Sequence, residues 1–288
     1  MTTSQIVQIL FAGLTLGSVY AMVAFGLSLV YRATSILNVA QGEFSMVGGM
    51  TAIYLTVGIG LPIPVAVVAA VLFAAALALG MERFAIRPAA HYPMLIVIMV
   101  TVAVSMIVQG LALVLWGRDS FSLPAFLGET PVSVFGASIL PQAIGVLVIC
   151  IVVSLGFWAF FDRTMLGIAM RASAENPLAA SLVGIDPRRM TMLAFVLSAG
   201  VGAVAGVLIA PIVFMSFMSG ITITVKGFVA AVVGGINNNL GVVVGGLTLG
   251  LLESLAAGLL PSLYKDVITL GILVVLLCLR PNGILGAR

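Results

Sequence analysis

Two carboxylates, Glu43 and Glu253, stand inside or beside apolar runs long enough to form membrane helices. A bare charge in such a place costs roughly 3 kcal/mol on insertion scales, so it is kept for a purpose. Two purposes fit: lining the path of a polar solute, or accepting bonds from backbone N–H groups freed where a helix breaks. Asn38 and Gln41 lie just before Glu43 and supply donors and acceptors to the same break. The plainer alternatives are a hydrated head-group position for Glu43 and a polar packing contact with another helix or subunit for Glu253. Asn237-Asn238-Asn239 follows Gly234-Gly235 and puts three amides where an apolar run stops. These amides either line a solute path or make the turn that a chain reversal demands. The turn is the favoured reading, and Asn237 and Asn238 join Asn38, Gln41, Glu43 and Glu253 as candidate translocation residues.

Asp162 to Arg189 is the sustained polar segment between two long apolar stretches. Its middle reads as a small docking helix. Asn176 is a natural N-cap, Pro177 suits the first helical position, Leu178-Ala179-Ala180-Ser181-Leu182-Val183 supplies about two turns, and Gly184 is a natural stop. Four arginines (Arg163, Arg171, Arg188 and Arg189) surround it, with Glu175 and Asp186 close by. A protein built for lipid needs such an element when something outside the bilayer must push on it. The competing reading is an ordinary polar loop.

Several chemistries find no support. His91 is the single histidine, in a loop beside Pro93, with no second metal ligand near it. No glycine-rich phosphate loop ending in Lys-Ser or Lys-Thr occurs, so ATP is not bound by this chain and any energy comes from another subunit. Ser, His and Asp form no triad pattern, and nine acids spread along the sequence do not make an intramembrane enzyme. Cys150 and Cys278 lie in apolar runs, as packing or lipid-facing thiols rather than a disulfide. The net charge of +3 does not point to nucleic acid, because the basic residues are scattered among loops with no aromatic interleaving.

The elements that must position these residues are membrane helices. Charged residues are 7% of 288, hydrophobic residues 62%, and mean hydropathy is +1.31. So little charge cannot cover a soluble surface, and an all-α polytopic membrane protein follows. The N-terminal run lacks a basic leader and is too long for a secretory signal, so it is expected to be retained. Expected spans are Ile6–Tyr31, Pro62 or Pro64 to Met81, Met94–Trp116, Leu140–Phe161, Thr191–Val213, Gly241–Leu260 and Leu263–Leu279. Asn38–Val57, with its Gly48-Gly49 pair, reads as broken or partly re-entrant, and Val225–Ile236 is too short to cross alone. About eight transmembrane helices, short broken helices and a cytoplasmic coupling helix form one domain over residues 1–288. Val132, Val134 and Ile139 alternate within the external loop, 117–138, as a small hairpin or loop, while the coupling loop spans 162–190.

Lysine and arginine placement orients the chain. With Arg32, the Arg83–His91 loop, the coupling loop and the C-terminal tail in the cytoplasm, nine of twelve basic residues face inward, leaving Arg118, Lys226 and Lys265 outside. The N-terminus is then outside and the C-terminus inside. Glycine pairs four apart, Gly13/Gly17, Gly202/Gly206, Gly241/Gly245 and Gly246/Gly250, mark close helix packing. A weak internal echo relates Gly42–Gly49 to Gly227–Gly235, each expected to begin a broken helix; chance similarity among small residues competes with it.

Seven motifs coincide in order across nearly the whole chain: Gly13–Ala21 running on to Leu37–Glu43, Glu82–Pro88, Arg171–Ile185, Ala205-Gly206-Val207-Leu208, Gly227–Gly235, Glu253, and Arg280–Gly286. The set resembles the LivH-type permeases of bacterial branched-chain amino acid ABC importers. The resemblance implies a multi-pass permease of the inner membrane, partnered by a LivM-type permease, two cytoplasmic ATPase subunits that carry ATP and magnesium, and a periplasmic solute-binding protein. This chain itself would hold no cofactor. It also implies a degenerate coupling motif, with Ala179, Ala180 and Gly184 matching its Ala-Ala-x-x-x-Gly core. Arg171, Glu175, Asn176, Pro177, Leu178, Leu182 and Asp186 complete the expected coupling set. Leu178 stands where the general motif has an acid, so that acid's contacts do not carry over. Family relatives handle leucine-like amino acids, urea, short amides and aromatic or other carboxylates, and nothing in this sequence selects one; a passive channel is the alternative of another class.

Overall fold

Long apolar sequence punctuated by proline gives long helices with proline starts. The computed structural model describes residues 3–128, 130–134 and 137–259, together with 267, 270, 271, 274, 275, 278 and 283–285. The helices are α1 (Thr3–Thr34), α2 (Gln41–Ile53), α3 (Ile63–Met81), α4 (Arg87–Ala89), α5 (Met94–Trp116), α6 (Pro141–Arg163), α7 (Met165–Glu175), α8 (Pro177–Leu182), α9 (Pro187–Ile209), α10 (Ser219–Gly234) and α11 (Asn239–Leu259). Pro62 and Pro93 precede the first turns of α3 and α5, and Pro141, Pro177 and Pro187 open α6, α8 and α9. Their fixed φ and missing N–H suit those positions. A π-helical turn, Tyr54–Gly58, extends α2, and another, Glu82–Ile86, joins α3 to α4.

Six helices among the described residues are long and apolar enough to cross a bilayer, making this a polytopic membrane protein. α2 and α10 are shorter, and the expected last span, Leu263–Leu279, lies outside the described residues apart from isolated positions. The same holds for the Arg280–Asn282 part of the tail. Between α5 and α6, β1 (Val132–Val134) and β2 (Ala137–Ile139) pair antiparallel, with Val132 opposite Ile139, which is the hairpin that the alternation anticipates.

α1 is the central post, with α11, α9, α10 and α6 packed on it; α9 in turn carries α2 and α3. The α9 span is 67% buried, whereas α3, α5 and α6 are 22%, 22% and 17% buried and present apolar faces outward. The ends of α1, α6 and α11 converge at Arg32, whose guanidinium lies 5.6 Å over the Phe161 ring and hydrogen-bonds Asn239.

Three expectations are corrected. α9 starts at Pro187, not Thr191, because the Asp186 side chain accepts from the Arg188 N–H at 3.0 Å and caps it there. α10 starts at Ser219, six residues before Val225, so Lys226 is not a loop charge: it lies within α10, its side chain 13% exposed. The glycine echo also fails as a pair of helix starts, since Gly42–Gly49 opens α2 but Gly227–Gly235 closes α10.

The glycine pairs do form seams. A β-carbon at Gly17 would lie 2.8 Å from the Gly246 carbonyl oxygen, and one at Gly246 only 2.5 Å from the Ala21 backbone. Gly13 and Gly250 continue this α1–α11 interlock, and Gly48 meets Ala203 of α9 just as closely. At Gly80 nothing lies within 4 Å. We expect Gly246→Leu to destabilise the protein by at least about 3 kcal/mol, the upper end of ordinary overpacking, while Gly80→Ala is neutral or mildly stabilising; thermal unfolding in detergent reads both.

Candidate functional site

Glu43 sits in the first turn of α2, and it is there because the chain after α1 folds back into the bundle before becoming helical. Asn38 and Gln41 are fully buried and Glu43 is 1% exposed. The Gln41 side chain locks this re-entry: its Nε2 donates to the Ser198 carbonyl at 3.1 Å, and its Oε1 accepts from Ser198 Oγ at 2.6 Å. Asn38 Oδ1 accepts from the Ala40 N–H at 3.1 Å and makes the turn. Glu43 Oε1 then receives two donors from α5, Ser105 Oγ and Gln109 Nε2, each at 2.7 Å. One turn further down α5, Thr101 Oγ1 accepts from the Val39 N–H at 3.2 Å.

The other face of this node is α10. The Gly42 N–H donates to Thr224 Oγ1 at 2.9 Å. A β-carbon at Gly220 would overlap the Glu43 carboxylate, so that carboxylate lies against the first turn of α10. A helix N-terminus carries partial positive charge and favours an acid there. Glu43 thus ties α2, α5 and α10 together inside the bundle.

Glu253 belongs to a separate cluster. It ion-pairs with Lys226, the two side chains being 4% and 13% exposed, and the Lys226 ammonium lies 5.5 Å over the Tyr20 ring. The pair forms part of the wall of a cavity of about 280 Å³ between α1, α10, α11 and the α9–α10 connection, together with Leu16, Tyr20, Ser219 and Thr222. Asn237 and Asn238 are at neither cluster. Asn237 is exposed in the turn between α10 and α11. Asn238 Oδ1 accepts from the Leu240 and Gly241 N–H groups at 3.0 and 3.2 Å, and its Nδ2 donates to the Leu285 carbonyl at 2.9 Å.

The polar segment after α6 folds as the amphipathic α7 and then the stub α8. Asn176 Oδ1 accepts from the Ala179 N–H at 3.0 Å. At the other end Gly184 has φ +87°, its N–H donates to the Ser181 carbonyl at 3.1 Å, and the Ile185 N–H donates to the Ala180 carbonyl at 3.0 Å. That is the paired closure of a Schellman motif, which needs a left-handed residue at Gly184. Ala180 is buried, while Leu178, Leu182 and Val183 are 74%, 82% and 76% exposed. Pro177, Ala179 and Glu175 are exposed, Arg171 is half-buried in α7, and Asp186 ion-pairs with Arg189 at 3.2 Å.

Sequence reasoning reached Glu43 and Glu253 but missed their partners. Thr101, Ser105 and Gln109 recur every fourth residue in the apolar α5, a polar stripe that marks a helix face turned towards protein. Lys226 is missed as the partner of Glu253 because the sequence suggests too short an α10, and the amphipathic α7 is not anticipated.

A family model described as branched-chain amino acid transport system, permease component, matches residues 9–277. The high-affinity branched-chain amino acid transport system permease protein LivH of Escherichia coli (strain K12) is 34% identical, covering 97% of this chain and 95% of its own. BraD of Pseudomonas aeruginosa, the permease protein of a high-affinity system so named, gives the same identity and coverage. The probable LivH of Methanocaldococcus jannaschii is 29% identical over 97% of this chain and 92% of its own. Among solved structures, PsaBC from Streptococcus pneumoniae in complex with Fab has a TM-score of 0.50 at 14% identity, covering 92% of this chain and 90% of that chain, a likeness of fold.

The node itself is open to test. Gln109→Leu strips one donor from Glu43 and should destabilise the protein by about 1–3 kcal/mol. Gln109→Glu sets a second acid against the first and should cost more. Ranking the two by thermal unfolding in detergent checks the assignment; equal stability of both variants and the parent would refute it.

Proposed function

The chain belongs to the branched-chain amino acid transport system permease family, and from that premise we propose that it is one half of the translocation path of an ATP-driven importer. A permease of this family is a multi-pass membrane transport subunit and not itself an enzyme. Its partners in this reading are a LivM-type permease, two cytoplasmic ATPase subunits holding ATP and magnesium, and a periplasmic solute-binding protein. The solute is a branched-chain or related amino acid, with urea, short amides or aromatic carboxylates as the alternative cargo.

The observation that carries the reading is α8: a stub capped at both ends that nonetheless exposes Leu178, Leu182 and Val183. Rigid caps and an apolar tip suit a knob that seats in a cleft of another protein. Burying one such side chain contributes about 1.5–3 kcal/mol, so three supply a firm seat without a charge at Leu178. The α8 end of the bundle is cytoplasmic in this proposal, which also puts Arg32, Arg83, Arg87, Arg163, Arg171, Arg188 and Arg189 on the side where basic residues accumulate. ATP binding closes the ATPase pair and displaces α8. The two permeases then rock between inward- and outward-open states, and solute handed over by the binding protein passes between them.

Gly184→Val places a β-branched residue at φ +87°, where left-handed backbone costs roughly 1–2 kcal/mol, and so breaks the closure of α8. The variant should insert at normal abundance yet lose ATP-driven leucine uptake at least tenfold. Normal uptake at normal abundance sinks the coupling role. Uptake that persists without the ATPase and ignores vanadate would replace the importer with a passive channel.

A further inference from the structure

The Lys226–Glu253 pair poses a question that packing does not answer. Two opposite charges taken out of water give little net stability, because their desolvation offsets their attraction. Apolar residues of similar size would serve the α10–α11 contact as well. Ionisable groups kept within membrane helices, facing protein rather than lipid, mark solute pathways. Here both side chains are shielded from the surface at large, yet both contribute to the wall of the same cavity.

Resting on the importer reading, we propose that Lys226 and Glu253 are the transient binding site for the zwitterionic head of the transported amino acid. The ligand carries a carboxylate and an ammonium on one carbon. Entering the cavity, it parts the pair: the Lys226 ammonium takes the carboxylate and the Glu253 carboxylate takes the ammonium. The exchange trades one pair for two, each of opposite charges, and adds no net charge to the site. A solute with only one of the two groups could replace only one half of the Lys226–Glu253 interaction. That distinguishes the amino acids from the neutral amides and simple carboxylates among the alternative cargoes.

Size and lining agree with this ligand. A cavity of about 280 Å³ is near the lower end of ordinary ligand pockets, about 300–1,000 Å³, and suits a single small molecule. Leu16, Val213 and Ile223 offer an apolar wall to a branched side chain, while Tyr20, Ser219 and Thr222 bring hydroxyl groups to the same space. Lys226 also borders a second, mainly apolar hollow of about 260 Å³ with Ile221, Val225 and Leu249. Its side chain therefore stands between two spaces, as a group that hands a ligand on would.

The test uses the whole transporter, with its partner permease, ATPases and binding protein, in liposomes, and radiolabelled leucine as the probe. Lys226→Met and Glu253→Gln should each lower ATP-driven leucine uptake at least tenfold in complexes that assemble with the ATPase in wild-type amount, and Lys226→Arg should keep a third or more. Thr222→Trp, at an exposed position on the cavity wall one turn before Lys226, fills the space while leaving both charges in place and should also lower uptake at least tenfold. Uptake within twofold of wild type in any assembled Lys226→Met, Glu253→Gln or Thr222→Trp complex overturns the proposal. So does failure of both charge-removing variants to assemble while Thr222→Trp transports normally, since the pair would then be structural. A wild-type complex with no ATP-driven leucine uptake overturns the importer reading and this inference together, whereas an active wild type with equally active variants overturns this inference alone.

Discussion

In hydrocarbon, apolar helices gain nothing by leaving lipid for one another, so a membrane bundle depends on how closely its backbones approach. Here that constraint is met along α1. Gly13 and Gly17 interlock with Gly246 and Gly250 of α11, so that the central post and this neighbour touch backbone to backbone. The candidate sites all hang from this post. α10 and α11 meet it around the Lys226–Glu253 cavity, α9 carries the re-entrant α2, and α6 leads into the α7–α8 appendage.

Where small residues bring helices together, a few polar groups decide their register. The Gln41–Ser198 bonds hold the re-entry of the chain against α9, and Glu43 joins α2 to α5 and α10. Gln41, Ser198 and Glu43 each hydrogen-bond to protein, which is the condition for irregular backbone inside a membrane bundle. The two acids noticed first in the sequence thus serve different ends. Glu43 accepts from neighbours on an adjacent helix, whereas Glu253 is paired with the Lys226 counter-charge beside open space.

What was legible in the sequence was what local chemistry decides. Asn176, Pro177 and Gly184 announce α8 because cap, start and stop are each made within a few residues. Met94–Trp116 is found with its bounds intact because Pro93 and Gly117 close an unbroken apolar run. The start of α10 was missed for the opposite reason. Ser219-Gly220-Ile221-Thr222-Ile223-Thr224 consists of glycine, hydroxyl and β-branched residues that are poor helix formers, and it is helical only because α2 and α1 pack against it. The depth of Lys226 was lost with it. Pairings such as Glu43 with Ser105 and Gln109 join residues more than sixty positions apart; the stripe on α5 is visible in the sequence, its partner is not.

The α1–α11 seam bears on how such a chain is made. The hydrogen bond from Ser254 Oγ to the Ile9 carbonyl spans 245 positions. At ordinary ribosomal speeds of about 5–20 residues per second, α1 leaves the tunnel roughly 12–50 s before its partner exists. For that interval its glycine face must stay free of other helices near the insertion machinery. Biogenesis of this bundle is therefore a problem of waiting: the earliest helix is completed by almost the latest.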